Sequence, residues 1–264
     1  MTIAIIGGTG LYQLGVDTQT LKVSTPSEEI EIDQLLMKDA PQAVYFLPRH
    51  GRNHDIPPHR ISYRNNLYAL HKLGVTHILA TCAVGSMNSE MEPGDLVVLS
   101  DFIDFTHHRS FTFYDGTLTD FEGVVHTDMH NPYCPELRRL IINELEMSVA
   151  VCHHQGIYVA TEGPRFETAA EIKMFKQIGG DVVGMTNVPE VLLARELKMC
   201  YMTVGIVTNW CTGIDKEEIR KEDIMQLLAT KKLMVANALM KISVSKLDQD
   251  HCQCQHAVLA MSKK

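Results

Sequence analysis

Six short stretches of the chain carry residue types able to hold a ligand, and they divide into two chemical groups. The first suits an anion. Ile5-Ile6-Gly7-Gly8-Thr9-Gly10 is an apolar run entering a glycine turn. Backbone N–H groups in such a turn approach negative charge closely, and Thr9 adds a hydroxyl. Gln13 stands where a dinucleotide fingerprint requires its third glycine, and the Lys-Ser/Thr pair of a P-loop is missing. Taken alone, the stretch is equally a tight turn. Pro48-Arg49-His50-Gly51-Arg52-Asn53-His54 places cationic donors beside a glycine. Arginine engages phosphate bidentately; an exposed basic turn is the competing reading. Thr81-Cys82-Ala83-Val84-Gly85-Ser86 has side chains small enough to admit a ligand to the backbone, although a structural turn explains it better in isolation. In Gly184-Met185-Thr186-Asn187-Val188-Pro189-Glu190, Pro189 suits the first position of a helix. Thr186 then lies just ahead of a helix N-terminus, where an anion is favoured, and plain capping is the alternative.

The second group suits a planar heterocycle on a sugar. In Thr161-Glu162-Gly163-Pro164-Arg165-Phe166-Glu167-Thr168, Phe166 offers an aromatic face and Glu167 an acceptor for ring N–H groups. A helix start with Glu167 near the dipole explains the carboxylate but not the aromatic beside it. Met185 suits an apolar ring or sugar face. In Val207-Thr208-Asn209-Trp210-Cys211, Asn209 carries both a donor and an acceptor, as many structural amides at strand ends also do.

These stretches fall mostly at the ends of apolar segments. Segments 3–6, 43–47, 77–81, 96–99, 156–160, 182–184 and 201–207 read as strands, several apolar throughout, as in a sheet covered on both faces. Helical spacing is found over 64–73, 135–147, 168–178, 189–198 and 223–244. The alternation predicts an α/β fold, a single domain over 1–247 with a central mixed β-sheet flanked by helices, followed by a polar C-terminal tail over 248–264. Ligands of such sheets gather at strand ends. The aromatic- and histidine-rich stretch 101–128 reads as a functional excursion or an interface, and the tail as loose.

Bulk composition narrows the classes. The chain has 264 residues, 45% hydrophobic and 21% charged, enough for a core without staples. Its net charge of −8 argues against a nucleic-acid partner. No apolar run has the length of a membrane span, and the N-terminus lacks the basic flank of a signal peptide, so no membrane partner is expected and the location expected is cytoplasmic. Of seven cysteines, Cys82, Cys134, Cys152, Cys200 and Cys211 read as small buried hydrophobes in a reducing compartment. Cys252 and Cys254, flanked by His251 and His256, do not have a recognised zinc spacing and read as part of an inert tail.

Together, GGTGL at 7–11, RHGRNH at 49–54, the turn at 82–86, FIDFT at 102–106, FYDG at 113–116, EGPRFET at 162–168 and GMTNVPEVLLARE at 184–196 resemble the methylthioadenosine phosphorylase / purine nucleoside phosphorylase family. The resemblance runs from residue 3 through Asn209. It implies the nucleoside phosphorylase fold and a homotrimer or dimer of trimers. It further implies phosphate binding at Thr9, Arg49, His50, Cys82, Ala83 and Thr186, with Met185 under the ribose and Phe166 beside the base. His126 matches a histidine that family members lend to a neighbouring subunit near the sugar's 5′ end, a reading preferred over a metal site built with His130. Cys82 departs from the Thr or Asn common in relatives; a thiol is a poor donor, so phosphate there would rely on the Ala83 N–H.

Family members acting on 6-aminopurines carry Ser at the position of Glu167 and Asp at those of Asn209 and Cys211. The Glu–Asn pair here is that of 6-oxopurine phosphorylases. An ionised Glu167 accepts from the ring N1–H of a 6-oxopurine but opposes the N1 lone pair of adenine, while Asn209 donates to O6 and accepts from a protonated N7. Trp210 and Cys211 join the expected substrate contacts, and His50 joins Asn209 and Glu167 as the expected catalytic groups. Counted from Asn209, Glu222 falls near the 5′ group and favours a hydroxyl there. The expected activity is phosphorolysis of inosine and guanosine to free base and ribose 1-phosphate in purine salvage. Phosphorolysis of 5′-methylthioadenosine or 5′-methylthioinosine is the alternative. Phosphate is a co-substrate, and neither metal nor organic cofactor is expected.

Overall fold

The computed structural model describes residues 2–261 apart from 10, 12–13, 39, 148–150 and 215–220. Gly10 and Gln13 of the first glycine turn thus lie outside the described residues. Among the described residues, thirteen strands and five α-helices alternate. The strands are β1 (Ile3–Gly7), β2 (Thr18–Ser24), β3 (Glu29–Leu35), β4 (Val44–Pro48), β5 (His77–Ser86), β6 (Leu96–Val98), β7 (Asp101–Phe105), β8 (Val125–Thr127), β9 (Cys152–His153), β10 (Ile157–Thr161), β11 (Val182–Gly184), β12 (Cys200–Trp210) and β13 (Val258–Ala260). The helices are α1 (Tyr63–Lys72), α2 (Pro135–Glu146), α3 (Ala169–Gln177), α4 (Asn187–Glu196) and α5 (Lys221–Ser243).

Eleven strands form one mixed sheet, ordered β2-β3-β4-β1-β5-β11-β10-β7, with β12, β6 and β9 branching from β5. β1 and β4 are buried at every residue, as expected of strands covered on both faces. One buried cluster packs α1 and α4 against one side of the sheet. A second packs α2 and α5 against the other. The hairpin β2–β3 was not expected from sequence, although Glu29–Leu35 alternates exposed and buried residues over much of its length. Its charged outward positions dilute the apolar signal.

β5 is the pivot. It lies between β1 and β12, parallel to both, over its first half; its last two residues then pair antiparallel with β11. The sheet splits at that point, and the cleft between its branches is where ligands of open α/β sheets gather. β12 reaches this opening with a bulge between Val207 and Asn209: Val207 pairs Val84, and Asn209 pairs Gly85. The extra residue, Thr208, shifts the alternation by one and re-aims the side chains beyond it.

The tail does not hang loose. β13 pairs antiparallel with β8, and Cys252, Cys254 and Ala257 are buried. Among the described residues, no helix is long and apolar enough to cross a membrane.

The turn after β1 runs very close to the neighbouring backbone. A Cβ on Gly8 would lie 2.4 Å from the Thr81 carbonyl oxygen and 3.1 Å from an Arg49 guanidinium nitrogen. Backbone cannot yield as a side chain does, so Gly8→Ala should lower stability by about 1–3 kcal/mol. Urea unfolding checks this; an unchanged midpoint contradicts it.

Candidate active site

The cleft is lined by seven segments of the chain. The glycine turn supplies Thr9, and the segment after β4 supplies His50 and Pro58. β5 supplies Cys82–Gly85, the loop after β10 supplies Phe166 and Glu167, and β11 with its exit supplies Val183–Thr186. Thr208, Asn209, Cys211 and Thr212 line it from β12 and beyond, and Ile224 from α5. A largely apolar lining with a few polar groups fits a small-molecule site.

The anion end rests on Arg49. Its guanidinium is fully buried and grips Glu190 of α4 bidentately, at 2.7 and 2.6 Å, while Nη1 donates to the Thr81 carbonyl at 2.7 Å. Arg49 is therefore not on the cleft wall. Three of its five N–H groups serve the protein, and the remaining two are what it has to offer an anion. Burial works against its charge, but the Glu190 carboxylate beside it holds the guanidinium protonated. Glu190 also accepts from the Tyr201 hydroxyl at 2.7 Å. Tyr201 and Thr203 continue the network to the buried Asn187, whose Oδ1 accepts from Tyr133. Arg52 of the same basic motif turns away and forks onto Asp33 of β3, which keeps the Asp33 carboxyl below its usual range.

His50 faces the cleft as a neutral ring. Burial drives its pKa down to about 4, against the hydrogen bond to the Ile56 carbonyl and with further push from Arg49 and His54. Nδ1 meets that carbonyl at 2.9 Å. The proton of the neutral ring thus belongs on Nδ1, which leaves Nε2 as an acceptor. Burial likewise raises the Cys82 thiol to about 12, so it is uncharged at neutral pH beside an anion.

Thr186 lines the cleft but not at a simple helix start. Val188 (φ −109°, ψ 130°) breaks the first turn of α4, and the Thr186 side chain makes no cap hydrogen bond. The Tyr158 hydroxyl accepts instead from the Thr186 and Asn187 N–H groups, at 3.1 and 3.4 Å. Tyr158 fits only because residue 184 is glycine: a Cβ there would lie 2.6 Å from that hydroxyl. Thr186 does sit at the start of α4, but the helix is interrupted at Val188 and the Thr186 and Asn187 N–H groups are committed to Tyr158.

At the other end stand Glu167 and Asn209. Glu167 is 8% exposed, and its Oε1 accepts from the Thr161 hydroxyl at 2.6 Å, leaving Oε2 for a ring N–H. Asn209 is clamped: Nδ2 donates to the Trp210 carbonyl at 2.9 Å and Oδ1 accepts from the Thr208 hydroxyl at 2.8 Å. One N–H and one lone pair of the amide remain. A Cβ on Gly85 would meet Cys211 at 3.0 Å and Asn209 Nδ2 at 3.3 Å, so the missing side chain at residue 85 makes room beneath them. Phe166, 54% exposed, and Met185 complete the walls. Gly163, at φ +67°, lets its loop cross Met185 closely.

Besides Arg49, three expected residues lie elsewhere. Trp210 contributes its carbonyl to Asn209 but does not line the cleft. Glu222 is exposed on the first turn of α5, and it is Ile224 that reaches the wall. His126 is exposed on β8. Sequence reasoning missed the roles of Glu190, Thr161, Tyr158 and Thr208, which act through other residues; all but Tyr158 stand inside stretches it singled out for other residues. Arg109, from the stretch 101–128, was missed as well. It ties that stretch to the Glu162 carboxylate and carbonyl and to the Val188 carbonyl, holding the Phe166–Glu167 loop against the start of α4.

Both buried groups of the anion end can be tested by substitution. Glu190→Ala leaves a buried guanidinium unpaired and should cost about 3–5 kcal/mol, read by urea unfolding; Glu190→Gln should cost less. His50 is neutral when folded and protonates near 6.5 when unfolded, so the unfolded chain takes up more protons between those values. Stability should therefore fall as pH drops from about 6.5 to about 4. His50→Gln should flatten that slope in pH-resolved melting curves, and an unchanged slope contradicts the assignment.

Residues 2–242 match the family model described as the phosphorylase superfamily. The chain is 45% identical to a 6-oxopurine nucleoside phosphorylase of Pyrococcus furiosus, over 97% of each protein. It is 47% identical to a probable S-methyl-5′-thioinosine phosphorylase of Methanopyrus kandleri, over 86% of this chain and 85% of the relative. The structure of a methylthioadenosine phosphorylase from Schistosoma mansoni in complex with adenine superposes with a TM-score of 0.84, at 33% identity over 93% of each chain. With the cleft, the sheet and the ordered motifs, these likenesses show that the chain belongs to the phosphorylase superfamily.

Proposed function

We propose that this enzyme is a purine nucleoside phosphorylase selective for 6-oxopurine nucleosides, releasing the base and ribose 1-phosphate in purine salvage. The observation that carries the reading is the pairing of Glu167 and Asn209 at one end of a cleft whose other end holds Thr9, His50, Cys82, Ala83 and Thr186. The likeness to a 6-oxopurine nucleoside phosphorylase points the same way.

In this reading phosphate lies at the anion end as hydrogen phosphate, held by Thr9, the Ala83 N–H, Thr186 and the two remaining N–H groups of Arg49, with His50 Nε2 accepting a hydrogen bond from its hydroxyl; the proton N7 takes is the one that hydroxyl releases, relayed through solvent. A phosphate oxygen bonds to C1′ as the C1′–N9 bond breaks. The dianion stabilises positive charge growing on the ribose. Asn209 and Glu167 meet the departing purine: Oε2 of Glu167 accepts from N1–H, the free amide N–H of Asn209 donates to O6, and its Oδ1 accepts from N7 as that atom takes a proton. Holding both substrates in line supplies much of the acceleration. Phe166 and Met185 bracket the base and sugar.

The chain acts as a homotrimer or a dimer of trimers, with His126 completing a neighbouring copy's sugar pocket. Supporting this, His126 sits on an exposed ribbon whose Val124, Leu259 and Met261 are 61%, 53% and 61% exposed. Such an apolar patch suits an interface. A second reading, 5′-methylthioinosine phosphorolysis, draws on Ile224: the wall residue from α5 is apolar where Glu222 was expected, and a thioinosine phosphorylase is among the similar proteins.

Phosphate-dependent base release from inosine, guanosine, adenosine, methylthioadenosine and methylthioinosine tests both readings. Inosine and guanosine should turn over fastest, at least about tenfold above the adenine nucleosides, because a mispaired buried carboxylate or amide costs about 1–3 kcal/mol. Glu167→Ser with Asn209→Asp should move preference toward adenine. Adenosine as the best substrate overturns the specificity. Base release without phosphate overturns the reaction class, and methylthioinosine above inosine selects the second reading.

A further inference from the structure

Far from the cleft, the sequence brings four cysteines together from three parts of the chain. Cys134 immediately precedes α2, Cys200 opens β12, and Cys252 and Cys254 belong to the tail. Their sulfurs all lie within 4.8 Å of one another, and all four residues are buried. Cys200 and Cys252 are in contact, sulfur to sulfur, at 3.4 Å. Asn209 stands nine residues along β12 from Cys200, about 30 Å away at strand rise. The phosphorolysis reading uses none of the four.

Simple packing does not account for the arrangement. Buried thiols are inert small hydrophobes when scattered, and Cys82 and Cys211 are of that kind. Four converging sulfurs form a soft, closed donor set. A tetrahedral tetrathiolate with metal–sulfur bonds of about 2.3 Å has sulfur–sulfur edges of about 3.8 Å, between the closest pair here and the outer limit of the cluster. No carboxylate or imidazole belongs to the set; such all-sulfur chemistry selects zinc or iron over magnesium or calcium.

The surroundings suit the charge such a site carries. The Gln249 amide donates to Cys200 Sγ at 3.5 Å. Zinc binding by the four thiols would displace their protons. Donors outside the ligand set are the usual means of orienting metal-bound sulfur. The position has a structural logic too, since the ion would tie the tail that carries β13 to α2 and β12.

We propose that Cys134, Cys200, Cys252 and Cys254 form a closed structural site for one divalent zinc ion. It leaves no open coordination position and so performs no chemistry. On this proposal residues 252–254 are not an inert tail, and Cys134 and Cys200 do more than pack.

The test uses the full chain, expressed in a reducing cytosol and purified with a phosphine reductant and no chelator. Metal content by mass spectrometry should approach one zinc per chain, and reduced, metal-stripped protein should take up zinc to the same level. Cobalt substituted for zinc should give the intense visible bands of a tetrahedral tetrathiolate. Cys252→Ser with Cys254→Ser should reduce zinc content at least about tenfold and lower the melting temperature, while inosine phosphorolysis at 25 °C stays within about twofold. If that variant does not fold, the wild-type cobalt spectrum and the protection of four thiols from a disulfide reagent by zinc decide the matter. Reduced chain that ignores zinc, zinc content indifferent to the double substitution, or an isolated chain lighter by the four hydrogens of two disulfides overturns the proposal. Loss of phosphorolysis in the wild type would leave the metal result standing, so the two readings fail separately.

Discussion

The buried ion pair between Arg49 and Glu190 is the constraint around which the active end of this protein is organised. Both side chains are almost wholly withdrawn from water, so neither charge is tolerable without the other. A pair of this kind adds little net stability over well-packed apolar residues; what it supplies is position. Arg49 follows β4, its Nη1 bonds the Thr81 carbonyl of β5, and Glu190 belongs to α4. Three elements are thereby fixed against one another at one end of the sheet. The Gly8 turn presses onto the same atoms with no room for a side chain. Through Tyr201 and Thr203, the pair also anchors the start of α4 at Asn187, next to Thr186 of the cleft. The anion end is thus built from the inside, by a charge that faces protein first and ligand second.

The purine end is built by a different device. β12 would present alternate residues to the cleft in regular register, and the bulge at Thr208 interrupts that alternation at the place where Asn209 and Cys211 are needed. The extra residue also serves directly, since its hydroxyl holds the Asn209 amide oxygen while the Trp210 carbonyl holds the amide nitrogen. Glu167 has a matching support in Thr161. Glu167 thus has one oxygen committed to the protein and one left over, and Asn209 has one N–H and one lone pair committed and one of each left over, a division that fixes orientation before a ligand arrives. Selectivity between keto and amino purines then depends on which groups remain unsatisfied.

Much of this was legible in the sequence, and the rest was not for definite reasons. The apolar runs of β1, β4 and β12 and the spacing of α2 reveal themselves because one rule, burial of an apolar face, governs each of them locally. The cleft residues at 9, 50, 82–83, 166–167, 185–186 and 209 stand in motifs at strand ends and do gather around one space. What sequence could not show depends on register or on partners distant along the chain. Arg49 reads as an exposed cation until Glu190, 141 residues away, is seen to bury it. Glu222 was placed by counting, and the count does not track the chain around the end of β12 and into α5, so Ile224 takes the wall instead. Cys134, Cys200, Cys252 and Cys254 share no spacing that sequence alone connects; folding brings them together.

The most direct test of the central claim is a crystal structure grown with phosphate and hypoxanthine. The account predicts phosphate within hydrogen-bonding distance of Thr9, His50, Thr186 and the two uncommitted Arg49 N–H groups, with Glu190 still gripping the guanidinium. It predicts hypoxanthine between Phe166 and Met185, its N1–H on Glu167 and its O6 and N7 on Asn209. Phosphate lodged away from Arg49, or a base bound without both Glu167 and Asn209, would contradict it.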